Sequence, residues 1–251
     1  MNLENAFLYV VFVASAATSA SRVVSPDNNA SNGVVHVVDT VLLPPGPSPG
    51  PGPTGCTGAS VNLKAEQCAA WGKFWDGAGG PNWGGEGEDC SKSDPCGCRH
   101  GVECGPKTAS SNCSLSDSCD SSITSISLHS SNLAGTISNA VGAFVDIETF
   151  DVFGNRRLNG SLPASMSAWM KVKFFDVRGS NFNGALPVLN YRAMRQCVLC
   201  GAAVFGKAGC VRNAFSCPFP QGVTDKCQKF NGDMEYQPIV NADCYNTTAS
   251  E

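Results

Sequence analysis

Histidine and cysteine are the residues of this chain that could carry out chemistry, because they supply acid–base groups, nucleophiles and metal ligands. The chain holds 14 cysteines but only three histidines, which lie in three separate segments at His36, His100 and His129. The sequence contains no glycine-rich phosphate loop, no nucleophile elbow and no metal-hydrolase helix. We therefore predict no catalytic residues, no cofactor and no enzymatic activity.

One cluster requires a metal site to be weighed, because Cys96, Cys98, His100 and Cys104 lie close together and cysteine with histidine can bind zinc. Their spacing is not the usual pair of Cys-x-x-Cys knuckles, and the wider cysteine pattern favours disulfides. We therefore predict no metal site. Stoichiometric zinc in protein purified without chelators, with titratable thiols at these positions, would reverse that prediction.

The cysteines form two groups, one from Cys56 to Cys119 and one from Cys197 to Cys244, with none between them. An even number of cysteines at both ends of a cysteine-free segment predicts two disulfide-stapled caps and an oxidising, extracellular or secretory compartment. Our disulfide candidates are Cys96, Cys104, Cys113, Cys119, Cys200, Cys210, Cys217 and Cys227. Connectivity does not follow from sequence, but closeness along the chain favours the pairs Cys113–Cys119, Cys200–Cys210 and Cys217–Cys227.

Composition excludes some classes of partner. Charged residues make up 15% of the 251 residues, against about 25% in an ordinary globular chain. The net charge is −4 and no basic cluster is present, so nucleic acid is not an expected partner. The 27 glycines and 15 prolines indicate many turns and linkers. A chain of this length can hold one large domain or two small ones.

The segment between the two cysteine groups repeats itself. Apolar-x-apolar steps begin at Ile126, Phe150, Phe175 and Cys197, which lie 24, 25 and 22 residues apart. A period of this size predicts a stack of coils, in which each step is a short strand with alternate residues buried. Small polar residues follow each step and can bond backbone groups of neighbouring coils, and a glycine then permits an unusual backbone angle or a close approach. These positions are Ser131, Asn155 and Ser180, and Gly135, Gly160 and Gly184.

This pattern resembles the plant-type leucine-rich repeat, L-x-x-L-x-L-x-x-N-x-L-x-G-x-I-P. The resemblance implies an α/β solenoid: a short leucine-rich repeat of about three to four coils with disulfide-stapled N- and C-terminal caps. Serine replaces asparagine at Ser131 and Ser180, so the ladder of asparagines that the family builds is incomplete. The sequence Gly79-Gly-Pro-Asn-Trp83, after a helical pattern over Leu63–Trp75, resembles the N-terminal capping motif of the same family.

The N-terminal 45 residues have two interpretations. The apolar run Phe7–Ala14 loosely fits a signal peptide; the alternative is a strand at Tyr9–Val13, followed by strands at Ser21–Val24 and Val34–Leu43. The stretch Ser31–Pro45, with its Asn-Gly turn and its His36 and Asp39, resembles the C-terminal motif of the fasciclin domain. That resemblance implies an adhesion role near His36, whereas a histidine on a sheet edge would only complete a hydrogen bond.

These observations predict five segments along the chain. They are a fasciclin-like fragment at 1–45, a Pro/Gly linker at 46–55, an N-terminal cap at 56–122, the repeats at 123–199 and a C-terminal cap at 200–251. Four Asn-x-Ser/Thr sequons, at Asn29, Asn112, Asn159 and Asn246, are candidate glycosylation sites.

The repeats predict a binding surface on the concave side, where every coil offers outward residues at matching positions. We expect a central column of Ser127, Asp151 and Asp176 beside a second column of His129, Phe153 and Arg178. The resemblances imply an extracellular or cell-surface recognition or adhesion protein with a protein or glycan partner, and nothing indicates membrane association. A structural wall or matrix glycoprotein and an inhibitor of a secreted hydrolase are the alternatives. Phe153 could equally pack against a neighbouring coil.

Overall fold

A computed structural model of the protein describes residues 23–30, 33–38, 55–106, 121–202, 210–211, 213–230 and 235–245. The chain divides into two compact units, Met1–Ser48 and Pro49–Glu251. The signal-like run at 7–20, most of the Pro/Gly linker, and Cys113 and Cys119 lie outside the described residues. In the described part of the chain, no helix combines the length and apolarity needed to cross a bilayer.

The first unit contains an antiparallel hairpin of β1 (Val23–Ala30) and β2 (Gly33–Val38). The register of the pair ends with Ala30 opposite Gly33. β1 extends beyond the strand predicted at Ser21–Val24, and His36 lies in β2.

The second unit contains two sheets and little α-helix. Its helices are α1 (Ala65–Gly77) and α2 (Val223–Lys226). Its strands are β3 (Val102–Pro106), β4 (Ser121–Ser127), β5 (Ala134–Thr136), β6 (Thr149–Asp151), β7 (Arg157–Ser161), β8 (Phe174–Asp176), β9 (Asn181–Gly184), β10 (Gln196–Ala202), β11 (Cys210–Val211), β12 (Ala214–Phe215), β13 (Gln228–Phe230) and β14 (Tyr236–Pro238).

Each repeat supplies one strand to each sheet. The larger sheet has eight strands in the order β14-β13-β10-β8-β6-β4-β3, with β11 beside β10. Its central strands β4, β6, β8 and β10 are parallel, and the register aligns Ile126, Phe150, Phe175 and Cys197. The smaller sheet runs β12-β9-β7-β5 and is parallel throughout. The aligned residues are the predicted starts of the repeats.

Short 3₁₀ helices complete the repeats on the side away from the larger sheet, at Asn139–Ala143, Ala164–Ala168 and Tyr191–Ala193. The core lies between these helices and the two sheets. Phe150 packs between Trp169 and Phe175, with ring centroids 5.0 and 5.9 Å away. The Trp169 indole nitrogen donates a hydrogen bond of 2.9 Å to a backbone carbonyl of the preceding repeat, so the buried ring leaves no polar atom without a partner.

Two buried asparagines bond neighbouring repeats together. Asn155 donates from Nδ2 to the carbonyls of Leu128 and Val152, at 2.8 and 2.9 Å, and accepts at Oδ1 from the Leu133 amide at 3.0 Å. Each asparagine therefore satisfies backbone groups of its own repeat and of the preceding one. In the repeats that carry serine at this position, the asparagine of the next repeat bonds the corresponding backbone groups. The Ser180 hydroxyl itself donates to the Val152 carbonyl of the preceding repeat at 3.3 Å.

The second buried asparagine is Asn213. It donates to the carbonyls of Val177 and Leu199, both at 2.7 Å, and accepts from the Phe182 amide at 2.8 Å. These bonds are equivalent to those of Asn155. The last repeat therefore reaches Asn213 through an insertion, and the period measured from Cys197 does not locate its ladder position.

The N-terminal cap covers the first repeat with α1 and an aromatic cluster. Trp83 lies 5.8 Å from Trp71 and 4.6 Å from Trp75 between ring centroids, and its indole nitrogen donates to the Ala78 carbonyl at 2.8 Å. Disulfides join Cys56 to Cys68, Cys90 to Cys98 and Cys96 to Cys104. These bonds leave no thiolate at the positions where zinc was considered.

The C-terminal cap corrects one predicted disulfide. Cys217 bonds to Cys244, and Cys227 bonds to Cys197, so the predicted Cys217–Cys227 pair is wrong. The reason is strand pairing: β13 lies parallel to β10, which brings Cys227 beside Cys197. Cys200 is also disulfide-bonded, and the side chain of Cys210 lies outside the described part of the chain.

Candidate functional site

The register of β4, β6 and β8 builds the central column of the predicted surface. Ser127 pairs with Asp151, and Asp151 pairs with Asp176. Residues aligned across parallel strands project to the same side of a sheet, and neighbouring strands lie about 4.8 Å apart. The structure therefore brings these three side chains together, with Ser127 and Asp151 half-buried and Asp176 buried.

The second column follows the strand ends and stays aligned by backbone hydrogen bonds. The Ser130 amide donates to the Phe153 carbonyl at 2.7 Å, and the Gly154 amide donates to the Arg178 carbonyl at 3.0 Å. His129, Phe153 and Arg178 consequently lie on neighbouring turns. None of the three is fully exposed.

Arg178 is held between aromatic rings. Its guanidinium carbon lies 4.3 Å from the ring centroid of Phe153, 4.5 Å from that of Phe230 and 5.8 Å from that of Tyr236. Its Nε lies 3.1 Å from Asp176 Oδ2, and only 15% of the side chain is exposed. Cations are attracted to the faces of aromatic rings, and a planar guanidinium can also stack on them. Arg178 therefore connects the repeats to the C-terminal hairpin of β13 and β14.

The two carboxylates of the central column each accept a backbone hydrogen bond. Asp151 Oδ1 accepts from the Phe153 amide at 2.9 Å, and Asp176 Oδ1 accepts from the Arg178 amide at 3.1 Å. Burial raises the pKa of Asp176 to about 7, although Arg178 acts in the opposite direction. Burial also raises the pKa of Asp151, while its hydrogen bond and the nearby His129 oppose that rise. The charge of this column therefore changes near neutral pH.

The surface thus has an open part and a filled part. The open part comprises Ser127, His129 and Asp151, with His129 Nε2 4.0 Å from Glu86 Oε1 of the N-terminal cap. The filled part is the region around Arg178. Sequence reasoning missed Phe230 and Tyr236, because β13 and β14 lie outside the repeat pattern and no local signal places them over Arg178.

Other predicted sites fall in different places. Asn159 is exposed in β7, on the smaller sheet. Asn29 lies in β1, and Asn112 and Asn246 lie outside the described residues. Among the side chains that the structure describes, one group has three potential metal ligands close together, namely Asp89, Cys90 and Cys98. Because Cys90 and Cys98 are bonded to each other, this group does not offer the thiolates that zinc would need.

Residues 3–44 match the model of the Fasciclin domain family. A comparison with curated proteins finds no match. Among solved structures, the chain is similar to the LRR ectodomain of the receptor kinase SOBIR1 from Arabidopsis thaliana, with 17% identity and a TM-score of 0.41 over 73% of this chain and 96% of that chain. It is also similar to the PEPR1–AtPEP1 complex, with 15% identity and a TM-score of 0.40 over 63% of this chain and 23% of that chain.

A third similarity is to the BIR3–SERK2 complex from Arabidopsis thaliana, with 18% identity and a TM-score of 0.31 over 55% of this chain and 73% of that chain. At these identities the similarities concern the fold alone. The fasciclin resemblance predicted for the N-terminal segment is matched over residues 3–44. The aligned parallel strands and the disulfide-bonded caps agree with the repeat resemblance predicted from the sequence.

Proposed function

We propose that this chain is an extracellular recognition or adhesion protein that binds a protein or glycan partner through the concave face of a short solenoid. In this proposal the solenoid has about three to four coils over residues 123–199, between caps at 56–122 and 200–251. The fasciclin match and the disulfide-rich caps support an extracellular location. A fold shared with receptors does not identify a ligand, so the proposal depends on the surface itself.

The observation that carries the proposal is the alignment of Ser127, Asp151 and His129 on a rigid sheet. Polar groups held by a backbone ladder are already ordered, so a partner that binds them loses little side-chain entropy on their account. Arg178 and the rings around it form one wall of this surface.

Binding can be tested by placing a large charged side chain in the central column. Ser127→Arg introduces a long cation among the aligned residues without removing a buried contact. Met170→Arg is the matched control, because Met170 is 72% exposed and lies outside both sheets. Full-length labelled protein would be applied to a printed glycan array and to isolated extracellular matrix.

We expect saturable binding of the wild-type chain that Ser127→Arg weakens at least tenfold and Met170→Arg preserves. Equal binding by wild type and Ser127→Arg would refute the assignment of the concave face. An absence of saturable binding, together with recovery of the protein as cross-linked insoluble material, would favour a structural matrix component instead.

A further inference from the structure

The outer face of the smaller sheet carries a row of small polar residues. Asn159 pairs with Thr136 on β5 and with Asn181 on β9, and Ser161 pairs with Asn183. All five side chains are exposed. Asn159-Gly-Ser161 is also a sequon, and it is the one sequon whose asparagine side chain lies in the described part of the chain.

A groove begins where this row ends. Its volume is about 440 Å³, and its walls come from the apolar residues that follow the strands in three successive repeats. The principal wall residues are Ile137, Leu162, Pro163, Leu186 and Pro187, with Asn139, Ser161, Ala164 and Ala185 at the rim. Ser161 therefore belongs both to the sequon and to the groove.

We propose that Asn159 carries an N-linked oligosaccharide whose first N-acetylglucosamine residues lie in this groove. The proposal rests on the extracellular location proposed above. In the transfer, Asn159 Nδ2 forms a bond to C1 of a lipid-diphosphate-linked oligosaccharide. The C1–oxygen bond to the diphosphate breaks, the diphosphate leaves with that electron pair, and the amide loses one proton to a base.

The position of Asn159 suits this attachment. Residues i and i+2 of a strand project to the same face and lie about 6.6 Å apart, so the groove begins within reach of a sugar joined to Asn159. The Asn159 amide donates to the Arg157 carbonyl at 3.0 Å. A glycosylated amide keeps one N–H, so this bond remains compatible with the linkage.

The chemistry of the groove matches N-acetylglucosamine. The sugar has apolar C–H faces and an acetyl methyl group, which can cover the leucine and proline walls. Its hydroxyl and amide groups can bond to the polar rim at Asn139 and Ser161. Covalent attachment makes this contact intramolecular, so even a weak intrinsic affinity keeps the sugar in place. The same tether favours this occupant over a diffusing protein segment.

The test uses the full chain expressed behind a cleavable secretion signal in a eukaryotic host. Mass spectrometry of glycopeptides gives the occupancy of Asn159. An endoglycosidase that cuts within the N-acetylglucosamine core is then applied to native protein and to reduced, denatured protein. We expect high occupancy, and native cleavage at Asn159 about tenfold slower than in the denatured chain, the factor that about 1.4 kcal/mol of contact produces.

Ala185→Arg separates seating in the groove from attachment. Ala185 is exposed at the rim, so an arginine there occupies the groove without changing the sequon. Occupancy is expected to stay unchanged while native cleavage rises several-fold. Ser161→Thr preserves the sequon and serves as the matched control, with occupancy and slow cleavage both retained.

Three results would overturn the proposal: an unoccupied Asn159, native cleavage as fast as in the denatured chain, or native cleavage unaffected by Ala185→Arg. The first two are also the results expected if the groove instead accepts a protein segment. Failure of the concave-face binding assay, with a protected glycan at Asn159, would overturn the proposed function alone.

Discussion

Replacing Asn213 by alanine tests whether the last repeat is bonded to the array through one side chain. In Asn213→Ala, the Phe182 amide and the carbonyls of Val177 and Leu199 lose their partner. The asparagine is 1% exposed, so water does not readily replace it. A buried polar group left without a partner costs about 1–3 kcal/mol. Three such groups, partly relieved by local relaxation, give an expected loss of about 3–6 kcal/mol.

The loss would be measured by urea unfolding with the disulfides intact, following intrinsic tryptophan fluorescence. Asn155→Ala is the internal equivalent, since Asn155 makes the same three kinds of bond two ladder positions earlier. Asn183→Ala is the matched control, because Asn183 is exposed on β9, and its effect should stay within about 0.5 kcal/mol. A change below about 1 kcal/mol for Asn213→Ala would refute the equivalence of the two asparagines.

Two further predictions concern a titrating carboxylate and a close backbone approach. The pKa of Asp176 is raised on folding from 3.8 to about 7, so its contribution to stability is fully present below about pH 4 and is lost as the pH rises through 7. Asp176→Asn should therefore reduce the change in urea midpoint between pH 4 and pH 8. If the variant shows the same change as the wild type, the raised pKa of Asp176 is refuted. Gly135 has φ of 101°, and a Cβ there would lie 2.4 Å from the Gly77 carbonyl oxygen. Gly135→Ala should therefore lower the free energy of unfolding by roughly 2 kcal/mol or more. Gly84 has open space around it, so Gly84→Ala should have little effect. If both variants lose the same stability, the close approach at Gly135 does not explain the loss.

The repeats were predictable because their burial pattern is local. Alternate burial along each strand directs Ile126, Phe150 and Phe175 to the same side of the sheet. The parallel register follows because equivalent residues of successive repeats pack against one another. The apolar residues that follow the strands at helical spacing are also buried, namely Val141, Phe144, Ile147, Met166, Trp169 and Val172. For these residues, the residue type and the spacing along the chain are enough to predict burial.

The C-terminal cap was not predictable in the same way, because its order depends on contacts between distant segments. Cys227 reaches Cys197 across 30 residues, through the pairing of β13 with β10. Asn213 occupies a ladder position that an insertion moves away from the repeat period. Phe230 covers Arg178 from a strand that carries no repeat pattern. Closeness in sequence does not predict disulfide pairs or side-chain contacts where a strand from outside the repeats joins the sheet.

The position of Arg178 also decides how a partner can use the concave face. A ligand that needed this guanidinium would have to separate it from Phe153 and Phe230, losing contacts worth about 1–2 kcal/mol each in a buried setting. It would also break the connection to Asp176 and expose apolar surface of the C-terminal hairpin. A partner loses less by leaving Arg178 in place and binding the open residues, Ser127 and His129. The specificity of the proposed binding therefore resides on the side of the N-terminal cap, and Ser127→Arg examines that side.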